Sequence, residues 1–136
     1  TPIEDLTLSL GHLPKKERAG RAQQILDERG LGHVAHQSIY DLSGGERQMV
    51  ALASVLAVRP EVIVADEPTT LLDLRNKLAL RRAFTELEQQ VIYSTHDMAV
   101  AADADRVIVI EKGQVAADGE PGEAIAWYES AMGGTG

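Results

Sequence analysis

The chain has 136 residues, 44% of them hydrophobic and 25% charged, with a formal net charge of −8. That describes one modest globular domain with a core of its own, and the acidity argues against a nucleic-acid-binding surface as its main business. Cysteine is absent, which excludes disulfides and thiolate metal sites, and no apolar run reaches the ~20 residues that span a bilayer.

The opening Thr1-Pro2-Ile3-Glu4-Asp5 has no initiator methionine and no signal-peptide pattern, so a processed or truncated piece is expected. Thr1 to about Leu10 reads as a short helix, capped by Thr1 with Pro2 in its first turn. Gly11 and Pro14 break the chain. A second helix is expected from Pro14 or Lys15 to Arg29, with Ala22, Ile25 and Leu26 inward and Gly30 as its stop. Residues 31–41 connect to a third helix that starts at Ser43 and ends near Val58, its apolar face being Met49, Leu52, Ala53 and Leu56. The pattern then changes. Val62-Ile63-Val64-Ala65 is a continuous apolar run, typical of a strand buried on both faces of a parallel sheet. A helix over 73–89, a strand at Val91–Ser94, a short helix near 98–102 and a strand at 106–110 follow. Lys112-Gly113 is expected to turn a hairpin into a strand ending at Gly119. A last helix runs from Glu120 or Pro121 to Met132, and Gly133-Gly134-Thr135-Gly136 forms a loose tail. Strand–helix–strand alternation after an all-helical start implies an α/β layered fold with a helical lobe on a parallel sheet.

Three places carry chemistry. Leu42-Ser43-Gly44-Gly45-Glu46-Arg47-Gln48 opens the third helix, and Ser43 with Glu46 three places on makes a capping-box pattern. A helix beginning Ser-Gly-Gly offers a hydroxyl, bare backbone N–H groups and the positive end of a dipole, which suits a phosphate. It is equally the composition of an ordinary turn before a helix. Next, Val62 to Pro68 brings Asp66 and Glu67 to the carboxyl edge of a sheet, where ligands of open α/β folds bind. Asp66 suits holding Mg²⁺ and Glu67 suits polarising an attacking water; a strand leaving the core into a polar turn would look the same. Finally, Thr95-His96-Asp97 follows the next strand, so His96 is expected at the same edge, within reach of a terminal phosphate. Asp73 most simply N-caps the helix after it, while free to contact a partner subunit.

These motifs together resemble the ATP-binding-cassette (ABC) ATPases. Leu42 to Gln48 is similar to their signature motif, Val62 to Pro68 to their Walker B, Thr70-Leu71-Leu72-Asp73 to their D-loop and His96 to their switch histidine. Arg106 to Gly119 resembles the strand pair that follows. The resemblance implies a P-loop NTPase (RecA-like) parallel sheet with an attached helical subdomain, residues 1–60 being the helical (signature) subdomain and 61–136 the C-terminal part of the core. It implies ATP and Mg²⁺ as ligands. Ser43, Gly44 and Gly45 would bind the γ-phosphate of ATP held by a second ABC ATPase domain, with Glu46 and Asp73 in the nucleotide site. Glu67 would be the general base, Asp66 the Mg²⁺ ligand and His96 the γ-phosphate sensor.

One departure is large. The sequence holds no Gly-x-x-x-x-Gly-Lys-Ser/Thr loop, so the chain resembles the carboxy-terminal part of a nucleotide-binding domain, and alone it is expected to bind ATP poorly and not to turn it over. Leu71 stands where the family more often has a small residue or glycine. The run Thr69 to Asn76 and the opening Thr1 to Leu6 resemble the ATPase subunits of energy-coupling-factor importers, the biotin branch nearest. The implied role is a peripheral motor at the cytoplasmic face of the membrane, working with separate transmembrane subunits and no nucleic acid. Two alternatives are a non-transport ABC ATPase acting on DNA or ribosomes, and a non-catalytic domain that lends only its signature helix. The short helix ending near Arg29 shows no sustained heptads, and the acidic charge also disfavours the first. Intact Asp66, Glu67 and His96 disfavour the second. Elsewhere, His33 and His36 have metal-like spacing but no third ligand; His12, Lys15-Lys16 and Arg81-Arg82 read as solvated. Trp127 and Tyr128 are expected to pack on the sheet.

Overall fold

Helix α1 spans Pro2–Ser9 and starts on a capping box in which the Thr1 side chain accepts the Glu4 N–H. The computed structural model describes residues 1–133, so the last three residues of the expected tail lie outside the described residues, and Gly133 ends a helix. Arg18 ties down the turn before α2 (Lys15–Glu28) by donating to the Leu13 and Gly11 carbonyls at 2.8 and 2.9 Å. Gly30 takes a left-handed φ of 70°, as expected of a residue just past a helix end. The connection over 31–41 contains two 3₁₀ turns, Gly32–Val34 and Ile39–Asp41. Helix α3, Gly44–Ala57, then packs on α1 and α2 around Leu6, Leu10, Leu26 and Val34, all of them nearly fully buried.

The expected apolar face of α3 is shifted. Val50, Leu52, Ala53 and Ala57 are buried, while Met49 and Leu56 are only partly so. Periodicity assumes one stripe, but α3 is gripped on two sides. Val50, Ala53 and Ala57 join the α1–α2 core, whereas Leu52 lines a cavity with Ile63, Leu80 and Phe84.

Strand β1 (Val62–Asp66), helix α4 (Leu74–Glu86) and strand β2 (Gln90–Ser94) follow, and β1 and β2 pair as a parallel sheet. A parallel pair needs such a crossover, and α4 supplies it. The sequence expectation for β1 fails here. Ile63 is buried, but Val62 and Val64 are 44% and 76% exposed. Side chains alternate across a strand; Ile63 faces the α3–α4 side, and Val62 and Val64 lie on the opposite face. Phe84 of α4 stacks on Tyr93 of β2 with ring centroids 5.8 Å apart.

The chain divides into two compact units, Thr1–Tyr93 and Ser94–Gly136. In the second, Asp97 caps the four-residue α5 (Met98–Ala101), accepting the Ala99 and Val100 N–H groups. Strands β3 (Val107–Glu111) and β4 (Gln114–Gly119) form an antiparallel hairpin with a bulge between Val109 and Ile110. Its turn, Lys112-Gly113, has φ of 50° and 76°, the two left-handed residues that match strand twist. Arg106 closes the open end with a two-pronged bond to Asp118, both contacts 2.7 Å. Helix α6, Pro121–Gly133, lies against both strands, with Pro121 and Ala124 buried. Trp127 keeps 38% of its surface exposed, so it is only partly covered.

Candidate functional site

The first turn of α3 is built as its residues predict. Ser43 has extended backbone, and its Oγ accepts the Glu46 N–H at 3.2 Å; in return Glu46 Oε2 accepts the Ser43 N–H at 2.8 Å. Arg47 N–H begins the helical ladder to the Ser43 carbonyl at 2.9 Å. That leaves the amides of Gly44 and Gly45 as the donors used by neither cap nor ladder. Ser43 and Gly44 are exposed, whereas Gly45 is buried. A Cβ on Gly45 would overlap the side-chain amide of Asn76, while one on Gly44 would make only ordinary contact with Leu72, at 3.8 Å. Gly45 is therefore glycine for steric reasons within this chain, and Gly44 is not.

Glu46 also meets a residue that spacing alone assigns no role. His33 Nε2 lies 3.1 Å from Glu46 Oε1, and His36 does not join it in a metal cluster; among the described residues no group of three such ligands exists. The Ser43 backbone N–H, then the Ser43 side chain and then the His33 bond hold the Glu46 carboxyl below its ordinary range. A carboxyl depressed on folding contributes stability that is full above its unfolded value and is lost as pH falls through its folded one. The stability gap between the wild type and Glu46→Gln, read from urea midpoints, is thus expected to be full at neutral pH. It should close on acidification below the ordinary glutamate value of about 4.3. A gap that stays constant down to about pH 3 would show the charge to be irrelevant to the cap.

Beyond β1 the chain turns sharply. Asp66 ends the strand and is exposed. Glu67 has a left-handed φ of 47°, uncommon for a non-glycine residue. Thr70 closes the turn, its N–H donating to the Glu67 carbonyl at 3.1 Å and its hydroxyl to Glu67 Oε2 at 3.2 Å. Leu71 is left-handed as well, with φ of 64°, and 98% exposed. The D-loop-like position that resembles a glycine site thus carries glycine-like backbone without glycine. Asp73 caps α4, its Oδ1 accepting the Asn76 N–H at 2.8 Å. Ser43, Gly44, Gly45, Glu46, Asp66, Glu67 and Asp73 all fall within the first unit, Thr1–Tyr93. His96, exposed between β2 and α5, belongs to the second.

The ABC transporter family matches residues 3–70, a stretch that runs from α1 through both the Ser43 helix start and the Glu67 turn. The chain belongs to the ABC transporter family. A Deinococcus radiodurans protein provisionally named an ABC transporter ATP-binding protein is 42% identical over 131 residues, covering 95% of this chain and 58% of that protein. The biotin transport ATP-binding protein BioM of Rhizobium etli is 40% identical, covering 85% and 52% respectively. Among solved structures, the dimeric ATP-binding cassette MJ0796 in a post-hydrolysis state with ADP and Pi superposes with a TM-score of 0.76 at 31% identity, over 89% of this chain and 56% of that one. The fold is thus that of an ABC ATPase cassette, a P-loop NTPase. The chain spans about half the length of the curated relatives it matches.

The sequence does not reveal two residues that bond to this candidate site. His33 was legible only as half of a weak histidine pair, and its partner lies 13 residues on. Gln48 donates from Nε2 to the Pro68 carbonyl at 2.7 Å, across 20 residues. No local pattern announces either contact.

Proposed function

We propose that this chain is the signature-bearing part of the ATP-hydrolysing motor subunit of an ABC-type importer. The observation that carries the reading is the start of α3. It presents the exposed Ser43 and Gly44, a reciprocal cap and two amides unused by the helix. This arrangement suits a phosphate. A second ABC ATPase domain would hold the ATP, and the two would close on it as a dimer. The dimeric relative with ADP and Pi supports that arrangement.

In this reading Glu67 takes the proton of the attacking water, and the Thr70 hydroxyl on Oε2 restrains its carboxylate. Asp66 would hold Mg²⁺; a single exposed carboxylate at a strand end fits that ion, which is usually bound through one or two carboxylates plus substrate phosphates. The ion would neutralise charge developing on the β- and γ-phosphate oxygens. His96 would sense the γ-phosphate, and Asp73 would face the partner domain while capping α4. Residues 1–60 would serve as the helical subdomain that contacts separate transmembrane subunits, and 61–136 as the C-terminal part of the ATPase core. Among the described residues no helix is long and apolar enough to cross a membrane. The motor would sit at the cytoplasmic face through its transmembrane partners. The likeness to BioM supports biotin as cargo, and the Thr69 to Asn76 run, with the likeness to an energy-coupling factor transporter ATP-binding protein, supports an importer of that type.

The 136-residue chain alone is expected to show no ATP turnover above background, whereas the full-length protein carrying a phosphate loop hydrolyses ATP and supports biotin uptake when its membrane partners are present. ATP turnover by the isolated chain would overturn the composite-site reading. Uptake of sulfate or Fe(3+) instead, the solutes named for other relatives, would keep the motor and replace the cargo.

A further inference from the structure

We propose that Gln48 is a positioning residue for Glu67: from the second turn of α3, its side-chain amide pins the carbonyl of Pro68 and so aims the turn that carries the candidate base. The inference rests on the reading of Glu67 as the base. Glu67 sits in left-handed backbone, φ 47°, a conformation that persists only where its surroundings over-determine it. The bonds from Thr70 to Glu67 shape the turn from within, but they do not locate it against the rest of the unit. Gln48 does. Its Nε2 reaches the Pro68 carbonyl at 2.7 Å, next to Glu67 in the chain, and Pro68 and Thr69 are both buried. Proline has no N–H, so at this residue the carbonyl is the only backbone group through which a hydrogen bond can hold the turn. Gln48 and Asp66 also line the same cavity, of about 230 Å³, together with Pro68, Leu52 and Ile63. One helix thus provides the phosphate-facing start at Ser43 and, a turn later, the prop for the hydrolytic turn.

The test compares Gln48→Ala, Gln48→Met and Gln48→Glu with Glu67→Gln in the full-length protein, reading kcat, KM for ATP and the thermal midpoint. Met keeps the volume and removes the donor; an ionised Glu keeps the shape and cannot donate. A displacement near 1 Å at a reacting group costs up to about 100-fold in rate. All three Gln48 variants are therefore expected to lose roughly 10- to 100-fold in kcat with KM within about twofold, since the bond aims a catalytic group and does not bind nucleotide. The thermal midpoint of Gln48→Met should stay near wild type. If Glu67→Gln abolishes turnover but Gln48→Met and Gln48→Glu keep wild-type kcat, the positioning role is wrong and the base assignment stands. A loss seen in Gln48→Ala and rescued in Gln48→Met would make the contact a packing one and overturn the proposal. Should Glu67→Gln retain full turnover, the base assignment falls and this inference with it.

Discussion

If Glu67 is the base, Glu67→Gln in the full-length protein is expected to lower ATP turnover by roughly 10²- to 10⁴-fold, the usual worth of a positioned general base, while ATP binding persists. The substitution leaves the shape of the turn intact. An amide oxygen still accepts the Thr70 hydroxyl that meets Glu67 Oε2 at 3.2 Å, and the left-handed backbone at Glu67 is unaffected by the change of one terminal atom. What is lost is the ability to accept the proton of the attacking water. ATP should therefore hold two such domains together without being consumed, and a dimer stable to gel filtration in ATP, and absent in ADP, is the second readout. Asp66→Asn separates the neighbouring role. If Asp66 holds Mg²⁺, its loss weakens the Mg²⁺ dependence of nucleotide binding, which Glu67→Gln leaves unchanged. A Glu67→Gln protein that hydrolyses ATP at the wild-type rate would remove Glu67 from the chemistry.

Gly45→Ala destabilises the fold by about 1–3 kcal/mol, the ordinary cost of overpacking a filled site, whereas Gly44→Ala stays within about 0.5 kcal/mol of wild type. The two glycines are adjacent and look alike in the sequence, but only Gly45 is buried against the Asn76 side chain. The new methyl forces the Asn76 amide aside. Combining Gly45→Ala with Asn76→Ala should restore most of the stability, because the obstruction is a side chain and not backbone. Urea midpoints of the four proteins measure this directly. Equal destabilisation by Gly44→Ala and Gly45→Ala, or no recovery in the double variant, would refute the steric account. The ATP-dependent dimer gives an independent contrast: Gly44→Ala places a methyl on the exposed face beside Ser43, and should weaken dimer assembly in a protein of normal stability.

The residues of the candidate site were legible in the sequence where their interactions are local. Ser43 and Glu46 bond to each other three residues apart, as do Asp73 and Asn76, so spacing alone foretold both caps. The Lys112-Gly113 turn was equally readable, since it is decided by the φ preferences of two neighbouring residues. Helix existence followed from the 3.6-residue period, and the strands from short apolar runs.

Which side of each element is covered was decided by the tertiary structure. Val64 has the side chain of a core strand residue and yet lies 76% exposed, because a run of apolar residues records what a strand can bury and not what is there to bury it. Met49 and Leu56 lost the inner face of α3 to Val50 and Ala57 once the helix was gripped on two sides. The same reason hides the tertiary contacts of the site. His33 finds Glu46 across 13 residues, Gln48 finds Pro68 across 20, and Gly45 makes room for Asn76. By itself, the sequence determined which helices begin with a cap and where the carboxylates fall, since these are properties of neighbours along the chain. Only the packing of the elements decided that the helix starting at Ser43 also reaches the turn after β1, through Gln48 and the Pro68 carbonyl, because a contact between elements depends on the angle and register at which they pack.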